Sequence, residues 1–170
     1  MLESERFQKL QKNRKCFAYI GIFIVFQIIV ITIFALTVMK VKTPSVRLRS
    51  VTVESSSTST ATLIAEVAVK NKNFGSYKFD ATTVNITNGD NPVVTANILK
   101  GKVGMKKTKT MNVDILLSSV SDTNITLKAL STMTGKVSLM GIMKKRKTSN
   151  MDCSMIVNVP NKAVYDLTCK

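Results

Sequence analysis

The pattern of apolar and polar residues changes once along this chain, from an unbroken apolar run to an alternating one. Residues 16–39, CFAYIGIFIVFQIIVITIFALTVM, contain no charged side chain. As a helix this run would be roughly 36 Å long, enough to cross a hydrocarbon core of about 30 Å. A buried soluble helix would need a larger surrounding core than this chain can build. The pattern therefore predicts a transmembrane helix.

A cleaved signal peptide is the nearer alternative, because the run follows a short basic segment. The apolar part of a signal peptide usually has about 7–15 residues, and a small-x-small cleavage site follows it. This run is longer, and no such site follows. We therefore expect an uncleaved anchor, with residues 1–15 as a basic cytosolic tail, residues 40–45 as a neck and residues 46–170 as one domain.

After Pro44, apolar and polar residues alternate in short segments, which is typical of half-buried strands. The first segment changes phase near Ser50, and a dense turn signal occupies residues 88–92. About seven or eight such strands without strand–helix alternation predict a mainly β domain, an antiparallel two-sheet β-sandwich of immunoglobulin or fibronectin type. Six of these segments span residues 46–53, 63–70, 77–82, 94–98, 111–117 and 137–143, and the hairpin described below adds two more.

One segment of the domain favours a helix over a strand. Leu127, Leu130 and either Met133 or Thr134 lie at three- and four-residue spacing, and Asp122 could cap the first turn. The sequence therefore predicts one short helix over residues 121–133.

The last twenty residues predict a hairpin closed by a disulfide. If residues 160–162 form its loop, apolar residues oppose each other and Cys153 opposes Cys169. Directly opposed strand residues have Cβ atoms close enough for a disulfide, which persists in an oxidising compartment. The alternative is two small apolar residues at strand ends, and a β-bulge would spoil the pairing. The other predicted pairs are Val159 with Ala163, Val157 with Tyr165, and Met155 with Leu167.

The chain is strongly basic, with a formal net charge of +15. Two lysine-rich runs, predicted to lie on turns, are candidate contacts for anionic lipid headgroups or acidic polysaccharide. A solvated basic turn without a ligand is the alternative. Nucleic acid is not expected as a partner, because no aromatic residues are interleaved and the anchor keeps the domain out of the nucleus. The runs comprise Lys106, Lys107, Lys109, Lys144, Lys145, Arg146 and Lys147.

Charge alone sets the orientation weakly, because basic residues flank the apolar run on both sides. Asn85 and Asn124 each begin an Asn-Ile-Thr glycosylation pattern, which would be used only in the secretory lumen. Cys16 lies where the tail meets the predicted span and is a candidate for S-palmitoylation, or simply a small residue at the start of the helix. We expect a cytosolic N-terminus and a domain outside the cytosol.

The sequence contains few residues that could catalyse a reaction. The chain contains no histidine, and its carboxylates are scattered along the predicted strands. Histidine-based acid–base catalysis, Ser-His-Asp triads and most zinc sites therefore have no candidate residues. We expect no catalytic, metal-binding or cofactor-binding residues and a non-enzymatic protein.

Several segments together resemble plant late embryogenesis abundant group 2 proteins, which carry the water-stress and hypersensitive-response domain. Residues 67–74, VAVKNKNF, with the following Tyr77-Lys78-Phe79, resemble its Asn-Pro-Asn turn between an aliphatic and an aromatic strand, although Lys72 stands where Pro is usual. Residues 101–109 resemble the middle segment of that family. Residues 152–155 and 167–170 resemble the ending of its membrane-anchored members.

This resemblance implies a two-sheet β-sandwich with one short helix and no established catalytic residues. It also implies a place at the plasma membrane, or at another endomembrane, and an association with dehydration stress or pathogen defence. A lipid-binding or lipid-transfer module at a membrane surface is the alternative function. An exposed apolar groove would favour that alternative, and a sealed core would favour an interaction or structural role.

Overall fold

A computed structural model describes residues 2–38, 40–56, 60–118, 124–139 and 143–170. The chain divides into two compact units, Met1–Lys40 and Val41–Lys170. The first unit contains a helix, and the second is built from strands.

Helix α1 spans Leu2–Val38 and therefore includes most of the predicted tail as well as the apolar run. The tail contains no Pro or Gly and is rich in Leu, Glu, Lys, Gln and Arg, which are strong helix formers. Within α1, Cys16–Thr37 is long and apolar enough to cross a membrane. The hydroxyls of Thr32 and Thr37 donate to the carbonyls of Ile28 and Ile33, at 2.7 and 2.8 Å. These bonds satisfy the hydroxyls within the helix, as an apolar solvent requires.

The described part of the second unit contains ten strands, more than the seven or eight predicted, in two antiparallel sheets, and the predicted mainly β fold is confirmed. One sheet has the order β1-β2-β7, and the other has the order β10-β9-β8-β3-β6, with β4 paired to β5 and β8. The strands are β1 Ser45–Ser56, β2 Thr60–Lys70, β3 Gly75–Phe79, β4 Thr82–Asn88, β5 Asn91–Ile98, β6 Gly101–Val103, β7 Thr108–Ser118, β8 Asn124–Leu139, β9 Met143–Asn158 and β10 Ala163–Cys169.

Inward-facing residues from both sheets form one apolar core, because every second residue of a strand points to the same face. The phase change predicted in the first strand is confirmed, since the register of β1 against β2 shifts between Leu48 and Ser50. Strand β8 is long enough to pair with β4 in its first half and with β3 in its second. Gly135 permits this second pairing, because a Cβ there would overlap the Tyr77 ring.

Two asparagines fasten the turn between β2 and β3 to the rest of the domain. Asn71 and Asn73 are buried, and the Asn71 side-chain amide donates to the carbonyls of Gly75 and Gly104 at 2.6 and 2.9 Å. Asn73 accepts from the Lys42 backbone N–H at 2.6 Å and donates to the Lys42 carbonyl at 2.7 Å. The neck, the β2–β3 turn and the β6–β7 turn are therefore joined by side-chain hydrogen bonds.

The predicted helix over residues 121–133 is wrong where the structure describes it, because Asn124–Leu139 is strand β8. Its inward face carries Leu127, Met133 and the buried Ser131, whereas Leu130 points outward and is 37% exposed. Ser131 is accommodated because its hydroxyl donates to the Thr83 carbonyl at 2.7 Å. Because Ser131 faces inward and Leu130 faces outward, the sequence does not show the two-residue alternation typical of a strand. Residues 121–123 lie outside the described residues.

The segment predicted as one strand around residues 137–143 is divided between two strands. Val137 and Leu139 end β8, Met143 begins β9, and residues 140–142 lie outside the described part of the chain. This hairpin pairs Leu139 with Met143 and runs the whole length of both strands.

Candidate functional site

The predicted disulfide is present and joins Cys153 of β9 to Cys169 of β10. The two cysteines oppose each other in the strand register, and the Cys153 side chain is fully buried. Beyond the bridge, the backbone N–H of Lys170 donates to the Asp152 carbonyl at 2.9 Å. The end of the chain is therefore held against β9 by a covalent bond and by the sheet.

The register of this hairpin is only partly as predicted. Next to the turn, Val164 opposes Val157 and Tyr165 opposes Ile156, so the predicted pairs there are wrong by one residue. An irregularity between Tyr165 and Thr168, where Asp166 has a φ of 52°, restores the predicted register at the cysteines. A β-bulge thus aligns the disulfide rather than spoiling it, since one extra residue changes the register.

The one-residue difference from the predicted pairing arises in the turn of the hairpin. The Lys162 backbone N–H donates to the Val159 carbonyl at 3.2 Å, and the Asn158 side chain accepts from the Asn161 N–H at 2.9 Å. The loop thus includes Val159, and Ala163 pairs with Asn158.

Both glycosylation candidates are exposed on strands. Asn85 lies in β4, where its side-chain oxygen accepts from the Thr95 hydroxyl at 3.4 Å. Asn124 begins β8, and its side-chain oxygen accepts from Asn158 at 2.7 Å. Exposure is required for glycan attachment, and use of either site remains a prediction. The lipidation candidate Cys16 is an exposed free cysteine on α1, and its acylation also remains a prediction.

The first lysine-rich run lies where β6 leads into β7. Lys106 occupies a turn with a φ of 54°, and its ammonium lies 4.1 Å from the centre of the Phe74 ring. Lys107 precedes β7 and Lys109 lies within it, opposite Val69. The turn prediction therefore holds for Lys106 but is wrong for Lys109.

The second run, predicted on a turn, instead lies in strand β9. Because successive strand residues point to opposite faces, Lys144 and Arg146 point outward, whereas Lys145 and Lys147 lie on the face that carries the core farther along β9. The four charges therefore do not form one patch.

A different basic group forms across the outer face of the larger sheet. Arg146 in β9 opposes Lys136 in β8, Lys136 opposes Lys78 in β3, and Lys78 opposes Lys102 in β6. All four side chains are exposed. We call these four residues the cationic row. The sequence does not predict the cationic row, because each of its three lysines is isolated in sequence and only the strand register brings them together.

No described carboxylate lies within ion-pair distance of the cationic row, and the exposed Asp80, two residues after Lys78, is a carboxylate close to it in sequence. The ion pairs found among the described residues join Arg49 to Glu66 at 3.9 Å and Lys128 to Asp152 at 3.6 Å. Like charges directly opposite each other in a sheet are destabilising. The row is therefore an electrostatic cost in the isolated domain.

The part of the chain that the structure describes contains no group of three or more Cys, Asp or Glu side chains arranged to hold a metal ion. One described residue, which lies in the core, has a clearly shifted pKa. Burial, and secondarily the charge of Asp80, raises the pKa of Tyr77 to about 12.

The sequence is similar to a curated protein over most of its length. No protein-family model matches the sequence. A late embryogenesis abundant protein of Arabidopsis thaliana is 25% identical over 178 residues, covering 92% of this chain and 83% of that protein.

Solved structures give weaker similarities. The solution structure of a candidate late embryogenesis abundant protein aligns with a TM-score of 0.44 and 12% identity, over 75% of this chain and 79% of that one. The crystal structure of a protein from Archaeoglobus fulgidus aligns with a TM-score of 0.40 and 13% identity, over 63% of this chain and 94% of that one.

Proposed function

We propose that this chain, a protein of the late embryogenesis abundant type, is a non-enzymatic membrane-anchored component of a dehydration-stress or defence response. The observation that carries the proposal is the similarity, over 92% of the chain, to the Arabidopsis relative, which is a late embryogenesis abundant protein. In this proposal α1 anchors the protein and the sandwich performs its role by contact with other molecules.

The Cys153–Cys169 disulfide supports a domain outside the cytosol. Structural disulfides persist in oxidising compartments and are rare in the cytosol of most organisms. The two exposed Asn-Ile-Thr sites are consistent with the same side of the membrane. We place the domain outside the plasma membrane, with the lumen of an endomembrane as the alternative.

Complementation in the source organism tests this function. A strain lacking the protein should lose survival after water loss or pathogen challenge, and the full chain should restore it. A chain carrying an unrelated single-span anchor in place of residues 16–37 should restore it equally, whereas a chain without an anchor should not. Full rescue by the unanchored chain would overturn the proposed anchoring, and unchanged survival without the protein would overturn the stress role.

A lipid-contacting module is the second candidate, and one cleft favours it. A cleft of about 560 Å³ lies beside β5 and β7, lined by both apolar and charged side chains. Leu99 is 75% exposed at this cleft, whereas Ile98 and Val113, which also line it, are buried members of the core. If the cleft binds lipid, the full chain in neutral nanodiscs should bind more fluorescent fatty acid than empty nanodiscs take up, and Leu99→Asp should remove this excess. Equal binding by Leu99→Asp would exclude the cleft.

A further inference from the structure

We propose that the cationic row, Lys102, Lys78, Lys136 and Arg146, binds a linear acidic polysaccharide lying across the strands of the larger sheet. The four residues are consecutive partners in the register of β6, β3, β8 and β9. Neighbouring strands are about 4.8 Å apart, so the row presents regularly spaced positive charges over roughly 15 Å. A polymer with a carboxylate on successive sugars has the complementary charge pattern.

The chemistry on either side of the row suits a sugar polymer. Ser76 opposes Ser138, and Ser138 opposes Lys144, in the register next to the row. On the other side, the hydroxyls of Thr134 and Thr148 lie 3.3 Å apart. Hydroxyls both donate and accept hydrogen bonds, so they can pair with the hydroxyls of a polysaccharide.

A bilayer fits this face less well. Surface helices and loops that bind membranes usually bury apolar side chains in the headgroup region as well as placing charges there. The exposed apolar side chain of β8, Leu130, lies six residues before Lys136 on the same strand. The row and its flanking residues are charged or bear hydroxyls, and they offer nothing to insert.

The mutual repulsion of the four cations is a second argument for an anionic ligand. Like charges directly opposite each other destabilise a sheet, and no described carboxylate lies in ion-pair contact with these four side chains. A bound polyanion would remove that repulsion. Replacing part of the row should therefore stabilise the free protein while weakening binding.

The test uses the full chain in nanodiscs of neutral lipid, with linear polygalacturonate as the probe and neutral dextran as its control. Lys78→Thr/Lys136→Thr should weaken binding of polygalacturonate by about tenfold, since each exposed pair contributes modestly. The same variant should unfold at a higher temperature than the wild type. Binding of the wild type should weaken as salt rises, because the charges are exposed.

Lys128→Thr is the matched control. Lys128 is an exposed lysine of the same strand and face, but it pairs with Asp152. It lies eight residues from Lys136, which is more than a Debye length at physiological salt. Its replacement should change binding less than twofold. Equal weakening by Lys128→Thr, or wild-type binding by the double variant, would overturn the proposal.

The experiment also separates this inference from the function on which it rests, since a polysaccharide reaches the row only if the domain lies outside the cytosol. Binding in nanodiscs does not depend on topology in the cell. Loss of binding to anionic vesicles but not to polygalacturonate in the double variant would assign the row to membranes and overturn the inference, leaving the anchored stress component intact.

Discussion

The Tyr77 hydroxyl is an uncompensated polar group at the centre of the sandwich. The Tyr77 side chain is fully buried, its ring lies 5.9 Å from that of Phe79, and its oxygen has no hydrogen-bond partner in the described part of the chain. Burying a hydroxyl without a partner costs about 1–3 kcal/mol. The ring therefore stabilises the core through apolar contact while its hydroxyl opposes folding.

We predict that Tyr77→Phe raises the free energy of unfolding by about 1 kcal/mol or more at pH 7. The ring is kept, and only the unpartnered oxygen is removed. Chemical denaturation of the full chain in nanodiscs, followed by tyrosine fluorescence or circular dichroism, measures the change. Tyr165→Phe is the control, because Tyr165 is 51% exposed; a loss of stability in Tyr77→Phe would indicate that the hydroxyl does have a partner.

The same residue predicts a pH dependence. Burial, and secondarily Asp80, raises the pKa of Tyr77 from 10.0 to about 12. As the pH rises, this hydroxyl therefore loses its proton in the unfolded chain at a lower pH than in the folded protein. The contribution of the Tyr77 hydroxyl to the free energy of unfolding is constant below pH 10. Between pH 10 and pH 12 the free energy of unfolding falls by up to about 3 kcal/mol. The advantage of Tyr77→Phe over the wild type should grow across this window. A constant difference from pH 9 to pH 12 would contradict the raised pKa.

At the level of secondary-structure elements, hydrogen bonds of Asn71 and Asn73 join the neck, the β2–β3 turn and the β6–β7 turn. Asn73→Ala should lower the free energy of unfolding by about 2–4 kcal/mol, because its bonds to Lys42 and Asn71 are lost and buried groups remain unpaired. The exposed Asn112 provides a control, and Asn112→Ala should change stability by less than about 0.5 kcal/mol. Equal midpoints for the two variants would show that the turn does not depend on these bonds.

The disulfide between β9 and β10 should stabilise the hairpin. It links residues separated by 16 positions, and a loop of that size predicts about 3 kcal/mol. Cys153→Ala, Cys169→Ala and the double variant should lower the unfolding midpoint by similar amounts, since the stabilisation belongs to the bond. Mass spectrometry of the native protein should find both thiols oxidised. Additive losses in the double variant would mean that the side chains act independently.

The sequence predicts the strands well where one face is wholly apolar, as in β2, whose inward residues include Leu63, Val67 and Val69. It fails in β8, where the buried Ser131 and the outward Leu130 imitate helical spacing. It also predicts the cysteine pairing while missing the bulge near Asp166, because bulges depend on local backbone geometry. The lysine runs were visible, but the cationic row required the pairing of four strands.

At the scale of the whole molecule, one chain combines an apolar helix with a basic sandwich that carries a disulfide. The helix Cys16–Thr37 is long and apolar enough to span a membrane, and the disulfide is typical of domains outside the cytosol. If both interpretations hold, the N-terminus lies in the cytosol and the cationic row faces the exterior or a lumen. Topology therefore decides which polyanions the domain can meet.

Protease treatment of sealed microsomes containing the full chain, with an epitope after Lys170, tests whether the sandwich domain lies outside the cytosol. We predict that an epitope-bearing fragment containing the sandwich survives until detergent opens the vesicles, because the domain lies in the lumen. A lumenal control protein should show the same protection. Loss of the epitope from intact vesicles, with that control protein still protected, would place the domain in the cytosol and contradict the account.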